Sequence, residues 1–200
     1  MIAIIDYGLG NLASVQKALN FLKLENKITS DHDEIKSSDF ILLPGVGSFA
    51  HGMQNLREKR LDHLLSDEVL GKKKRFLGIC LGMQLIAETG TEPYENPGLG
   101  WIKGKIIKIE SSNLRIPHMG WNSIEVRQED YLADLNHKDF YFIHSYHFVP
   151  EDEKVVAAYV DYGTKLVAAI QHENIFAAQF HPEKSQGAGL TLLKNYFEKC

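Results

Sequence analysis

One cysteine, one histidine and one glutamate stand in this sequence where nucleophilic chemistry would need them. The cysteine lies in Gly78-Ile79-Cys80-Leu81-Gly82. Arg75-Phe76-Leu77 before it is an apolar run of strand type, and Met83-Gln84-Leu85-Ile86-Ala87-Glu88 after it reads as a helix. A G-x-C-x-G element between strand and helix is the thiol form of a nucleophile elbow. Its turn is so tight that the flanking side chains must nearly vanish, hence glycine on both sides. The thiol then stands at a helix N-terminus, where unpaired N–H groups and the helix dipole favour the thiolate. Outside such a setting a buried cysteine is only a small hydrophobe.

Gln179-Phe180-His181-Pro182-Glu183 supplies the partners a reactive cysteine needs. Pro182 biases His181 toward an extended conformation. In extended chain, residues i and i+2 face the same way, which brings Glu183 beside the His181 ring. A carboxylate there fixes the tautomer and stabilises imidazolium, so His181 can take the Cys80 proton and pass it to a leaving amine. Alone, His-Pro-Glu reads equally as a surface turn after a strand. Its weight comes from coexisting with the elbow.

Pro44-Gly45-Val46-Gly47 ends another apolar strand, where its two glycines free the backbone to aim N–H groups at a developing oxyanion. Gly8-Leu9-Gly10-Asn11-Leu12-Ala13 fits the G-x-G-x-x-A dinucleotide pattern, with Asp31 near the expected distance. Asp6, two residues before the first glycine, would repel a pyrophosphate, so a tight turn or partner-facing loop is the expectation. His144 and His147, three apart in a strand, point to opposite faces and make a poor zinc pair. His32, His51, His63, His137 and His172 sit among polar residues and read as solvated. Pro117-His118-Met119-Gly120-Trp121-Asn122 is an apolar, aromatic loop, suited either to core packing or to anchoring an interface.

The elements that must position these groups alternate. Ile2-Ala3-Ile4-Ile5 is the continuous apolar run of a strand covered on both faces. Asn11 can cap a helix with Leu12, Val15, Leu19 and Leu22 on one stripe. Short strands are predicted at 27–29 and 40–43, helices near 48–58 and 61–70, and a strand at 75–79. This alternation indicates a parallel α/β sheet with helices on both faces. The second half changes character. Residues 101–109 alternate as an antiparallel strand, and more strands are predicted near 123–127, 139–149, 154–160, 165–171 and 174–180. Gly163 and Asn174 supply turns, and a helix at 188–198 closes the chain. The expected fold is therefore a mostly parallel central sheet flanked by helices, with antiparallel edge strands, in one domain spanning residues 1–200.

An apolar share of 44% and a charged share of 24% are those of an ordinary soluble protein. A formal net charge of -4 argues against general nucleic-acid or membrane affinity. Gly71-Lys72-Lys73-Lys74-Arg75 is too short to change that and reads as a solvated turn. Two cysteines, Cys80 and Cys200, make no disulfide framework. Without a signal-like start or an apolar stretch of membrane-spanning length, a cytoplasmic location is expected.

Taken together, these motifs resemble the class I (triad-type) glutamine amidotransferases. Within that family the sequence is most similar to the glutaminase subunits of imidazole glycerol phosphate synthase, of histidine biosynthesis. The elbow and His-Pro-Glu are common to the whole family. Pro-Gly-Val-Gly and Pro-His-Met-Gly-Trp-Asn single out this subunit, and the resemblance extends to Phe142-Ile143-His144-Ser145-Tyr146 and Gln179 through Ser185. It implies the flavodoxin-like amidotransferase fold, with Cys80, His181 and Glu183 as triad and an oxyanion hole from Leu81 and the Val46–Gly47 backbone. It further implies a glutamine site of Gly45, Gly82, Gln84, Glu92, Ser145 and Tyr146, with Glu92 meeting the α-ammonium. No metal or organic cofactor is implied. The implied partner is a (βα)8-barrel cyclase in a heterodimer, with Asn11, Trp121, Tyr141 and Lys184 near the interface. In such a family, glutaminase activity waits for the partner to reorganise Pro-Gly-Val-Gly. Two alternatives stay open: a paralogue that feeds ammonia to another acceptor, such as an amidino-sugar pathway, and a catalytically silent binding or regulatory module.

Overall fold

A computed structural model describes residues 1–110 and 114–198. Cys200 therefore lies outside the described residues. In chain order the elements are β1 (Ile2–Ile5), α1 (Leu12–Phe21), β2 (Asn26–Thr29), α2 (His32–Ser37), β3 (Phe40–Gly45), α3 (Phe49–Glu58) and α4 (Leu61–Ser66). A π-turn at Asp67–Gly71 leads into β4 (Arg75–Cys80) and α5 (Leu81–Gln84). Then follow β5 (Ala87–Gly90), β6 (Asn96–Pro97), β7 (Ile102–Lys108), β8 (His118–Val126), β9 (Asp139–His144) and β10 (Tyr146–Pro150). The chain continues through β11 (Val156–Asp161), β12 (Lys165–His172) and β13 (Ile175–Ala178) to α6 (Gln186–Glu198).

Among the described residues nine strands form the main sheet, in the order β2-β1-β3-β4-β13-β12-β11-β8-β9. From β2 to β13 all neighbours are parallel, and from β13 to β9 all are antiparallel. The parallel strands bury both faces, as their unbroken apolar runs require. Ala3, Ile5, Leu43, Phe76 and Ala177 point into one core layer, with Phe49, Met53, Leu61 and Leu65 of α3 and α4. Ile4, Leu42, Leu77, Ile79 and Ala178 point into the other, with Val15 and Leu19 of α1 and Leu192, Leu193 and Tyr196 of α6. Asn11 caps α1 through a side-chain bond from the Ser14 N–H, as expected. Gly163 turns β11 into β12 with φ +74°, and Asn174 lies in the turn between β12 and β13.

Four expectations fail for identifiable reasons. The helix over 83–88 stops at Gln84, and Ala87–Gly90 becomes β5. Ile86 and Ala87 are fully buried, and their carbonyls accept from the Trp101, Ile102 and Gly100 amides, so tertiary pairing overrides a good helical sequence. Residues 101–109 do not extend the main sheet. They form β7 of a separate four-stranded sheet, β10-β7-β5-β6, antiparallel to β10 but parallel to β5. The predicted single strand 139–149 is broken at Ser145, so that β9 and β10 belong to different sheets. The supposed loop at 118–122 is the start of β8, paired with β9 from His118 to Ser123. The basic run is also less solvated than expected. Lys74 is paired with buried Glu68 at 2.8 Å, and the Arg75 guanidinium sits over the Phe40, Tyr131 and Tyr196 rings.

Among the described residues no helix is long and apolar enough to cross a membrane.

Candidate active site

The elbow forms where β4 meets α5. Cys80 is the last residue of β4 and holds φ +54°, a conformation a non-glycine residue occupies only when its surroundings enforce it. The enforcement is steric. A Cβ on Gly82 would lie 1.8 Å from the Leu43 carbonyl oxygen, so α5 can pack this close to β3 only with glycine there. The expected dipole effect is weaker than the sequence implied. α5 is a single turn of four residues, with little macrodipole to offer the sulfur.

Other groups take that role. Pro182 leaves His181 extended, with φ −102° and ψ 95°. Glu183 does not follow in extended chain; Pro182–Lys184 is a 3-10 turn, which brings its carboxylate back onto the ring. His181 Nδ1 donates to Glu183 Oε1 at 2.8 Å, and both side chains are 2% exposed. Burial alone would disfavour the imidazolium. The neighbouring Cys80 sulfur and the Glu183 carboxylate outweigh it and raise the His181 pKa well above its ordinary value. The Nε2 atom is buried without a hydrogen-bond partner among the described residues, while the Cys80 sulfur lies near enough to favour its protonation. The backbone around the ring is clamped: His181 N–H donates to Tyr141 O at 2.9 Å, and Ser185 Oγ bridges His181 O and Tyr141 N–H.

A cleft of about 480 Å³ opens in front of Cys80. Its lining includes Leu81, Gln84 and Glu92 after β4, His144, Ser145 and Tyr146 between β9 and β10, and Val46 and Gly47 after β3, with Lys184 also contributing. Leu81 opens α5, so its N–H belongs to the set that a helix leaves without an internal acceptor. Gly45 pairs with Cys80 as the last rung between β3 and β4, and Val46 and Gly47 continue past it. Gly45 and Gly82 do not line the cleft. They act beneath it, since a Cβ on Gly45 would fall 2.0 Å from the Tyr7 hydroxyl. Glu92 Oε2 accepts from the Phe49 N–H at 3.1 Å, and burial raises its pKa.

Trp121, 48% exposed, packs edge-on to Tyr141 at 6.1 Å, and Lys184 Nζ lies over the Tyr141 ring at 5.7 Å. Met119, 58% exposed, shares the outer face of β8 with Trp121. Three of the four expected interface residues are thus contiguous. Asn11 lies at the start of α1, which packs against the Pro182–Lys184 turn. The dinucleotide pattern dissolves in the structure. Gly8 N–H bonds to Asp6 Oδ1 in a tight turn, and Asp31 caps α2 through the Asp33 and Glu34 N–H groups. Among the described residues no cluster of histidine, cysteine or acidic side chains could hold a metal ion. Four of the five histidines expected in solvent are exposed, and His32 is half-buried with Nε2 on the Lys59 carbonyl.

Sequence reasoning assigned no role to Gln179, which is fully buried and donates through Nε2 to Cys80 Sγ at 3.7 Å. It also passed over Ser185 and the His118–His144 pair, whose Nδ1 and Nε2 atoms are 3.0 Å apart. All lie in motifs the sequence reading noted, but only three-dimensional contact distinguishes their roles.

The family model for glutamine amidotransferase class-I matches residues 3–200. Imidazole glycerol phosphate synthase subunit HisH 1 of Campylobacter jejuni is 49% identical over 98% of this chain and 98% of its own length. The subunit of that name from Methanococcus maripaludis is 45% identical over 99% of each. Among solved structures, PurLQS from Thermotoga maritima superposes with a TM-score of 0.77 at 17% identity, over 98% of this chain and 97% of that one, a likeness of fold. The chain belongs to the class-I glutamine amidotransferases and, within them, to the HisH subunits of imidazole glycerol phosphate synthase.

Proposed function

We propose that this chain is the glutaminase subunit of imidazole glycerol phosphate synthase, hydrolysing L-glutamine and passing the ammonia to a cyclase partner. The observation that carries the reading is that Cys80, on its strained elbow facing a cleft, neighbours the buried His181–Glu183 pair.

The reaction follows from that arrangement. Glutamine enters with its α-ammonium toward Glu92 and its backbone between Gln84 and the Ser145–Tyr146 wall. The Cys80 sulfur attacks the carboxamide carbon while its proton resides on His181. Charge builds on the carboxamide oxygen, and the Leu81 N–H and an N–H of the Val46–Gly47 segment accept it into an oxyanion hole. His181 returns the proton to the leaving nitrogen, giving a thioester and ammonia. Neutral His181 then activates water, which releases glutamate and restores the thiol. Glu183 keeps the ring oriented and stabilises its charged form. Each step is carried by side chains and backbone alone.

Ammonia must leave shielded from water, because protonation ends its nucleophilicity. The partner is a (βα)8-barrel cyclase that consumes it on a phosphoribulosyl-formimino nucleotide. Trp121, Tyr141 and Lys184, with Met119 beside them, supply the aromatic, partly charged patch that such an interface uses. Asn11 extends it along α1. Residues 1–200 act as one glutaminase domain in the cytoplasm.

The test is Cys80→Ala in the reconstituted complex. Glutamine-dependent synthesis disappears and synthesis from added ammonia continues. Loss of both activities would contradict the division of labour. Rescue of a histidine auxotroph lacking this subunit separates the histidine acceptor from any other.

A further inference from the structure

Besides His181, Cys80 has a buried polar neighbour that the reaction above leaves unused. Gln179 is 0% exposed, and its Nε2 lies 3.7 Å from the sulfur. We infer that Gln179 is a thiolate-stabilising residue, donating an N–H to the Cys80 sulfur, and that Gln84 is the positioning residue that aims it. This rests on Cys80 being the nucleophile.

The direction of the amide is fixed by its surroundings. Gln84 faces the Tyr146 carbonyl oxygen at 3.1 Å, and a carbonyl can only accept, so the Gln84 atom there is Nε2. The same nitrogen lies 2.9 Å from Gln179, which must therefore present Oε1. The other end of the Gln179 amide is then Nε2, and it is the end that meets sulfur. The chain from Tyr146 O through Gln84 and Gln179 to Cys80 Sγ permits no flipped alternative with every contact satisfied.

A donor at this place matters because the sulfur's other framework neighbour is an acceptor. The Ile143 carbonyl oxygen lies 3.9 Å from Sγ, a contact a thiol can use as donor and a thiolate cannot. The Gln179 N–H tips that balance toward the charged sulfur from within the protein, on a side that substrate does not occupy. It persists when His181 gives its proton away. The imidazolium is then lost as a counter-charge, while the amide donor stays in place through both halves of the reaction.

The experiment measures the pH dependence of Cys80 alkylation by iodoacetamide, in which the thiolate attacks the CH₂ carbon and expels iodide. Mass spectrometry of the Cys80 peptide separates it from Cys200. Gln179→Met removes the donor at similar volume, and the midpoint of alkylation rises by about one pH unit, with the rate near neutrality falling roughly tenfold. Gln179→Glu still accepts from Gln84 but turns an oxygen to the sulfur, and the midpoint rises further. Gln84→Met leaves Gln179 unanchored and gives a smaller rise; it also serves if the Gln179 variants do not fold. An unchanged midpoint in folded Gln179→Met, or a Glu variant no more shifted than the Met variant, overturns the inference. If the Gln179 variants do not fold, an unchanged midpoint in Gln84→Met overturns it. Wild-type protein without glutaminase turnover but with this graded series would sink the glutamine reading alone. Full turnover with a flat series would sink the role of Gln179 alone.

Discussion

His181 and His144 are buried near one another and prefer opposite charge states. His181 Nδ1 meets a carboxylate and its ring neighbours a reactive sulfur, so its protonated form is favoured despite burial. His144 Nδ1 meets the neutral Tyr146 carbonyl at 2.9 Å, and burial drives its pKa down to about 3. His118 is stacked between Phe142 and Tyr162, and burial takes its pKa down to about 4. The tautomers follow. His144 Nδ1 donates to the carbonyl, so its Nε2 accepts from His118 Nδ1, and His118 Nε2 is left to accept from Asn122 Nδ2 at 3.4 Å. A proton on either ring breaks this chain. Similar burial thus gives a charged acid-base group in one place and a neutral strut in the other. The deciding variable is the partner of Nδ1.

The largest break in that contrast is Glu183→Gln, which leaves a neutral partner for His181. Glutamine-dependent turnover falls about 10³–10⁴-fold, by comparison with loss of the orienting carboxylate in other triads, while ammonia-dependent synthesis stays intact. Steady-state glutaminase kinetics with the partner present measure it. His144→Phe keeps the apolar packing but leaves His118 Nδ1 without its acceptor and the Tyr146 carbonyl with Gln84 as donor, and costs about 1–2 kcal/mol in urea unfolding. A loss near zero would mean the strut carries no load.

The pH dependence of stability sharpens the contrast further. His118 and His144 have folded pKa values below the unfolded value, so their contribution is present above about pH 6.5 and is lost as pH falls through 4 and then 3. His181 has a raised folded pKa. Its contribution is fully present below about pH 6.5 and fades as pH rises toward that folded value. Urea midpoints across this range therefore fall on both sides, and His181→Gln flattens only the alkaline limb. The smallest effect is expected from Asn122→Ala, about 1 kcal/mol, since Asn122 also donates to the Asp161 carbonyl at 2.8 Å.

How legible this was depended on the range of each interaction. Cys80, Gly78 and Gly82 announced the elbow because a tight turn admits few residue types. Ile2–Ile5 and Phe40–Leu43 announced parallel strands because burial on both faces leaves no polar positions. The His181–Glu183 contact was foreseen from Pro182, although a 3-10 turn achieves it. β5 stayed hidden because the residues from Leu85 to Glu88 suit a helix, and it is bonds from residues 98–102 and pairing with β6 and β7, further along the chain, that end the helix and form a strand. The start of β8 was hidden because Gly120 and Pro117 look like loop punctuation. The roles of Gln179 and Ser185 depend on contacts with Cys80 and Tyr141, about 99 and 44 residues away in the chain, and no local pattern encodes such distances.

The Gly45–Cys80 rung has a mechanical consequence. The ladder between β3 and β4 ends at Cys80, and the next fixed point is the start of α3 at Phe49, so the backbone between them is unlaced from β4. Val46, 39% exposed, and Gly47, at φ +122°, form a hinge two residues long. Such a hinge can reorient its amides without dragging the sulfur out of register. If Val46–Gly47 supplies the proposed oxyanion donor, a docked protein that turns this segment changes that donor while Cys80 keeps its place.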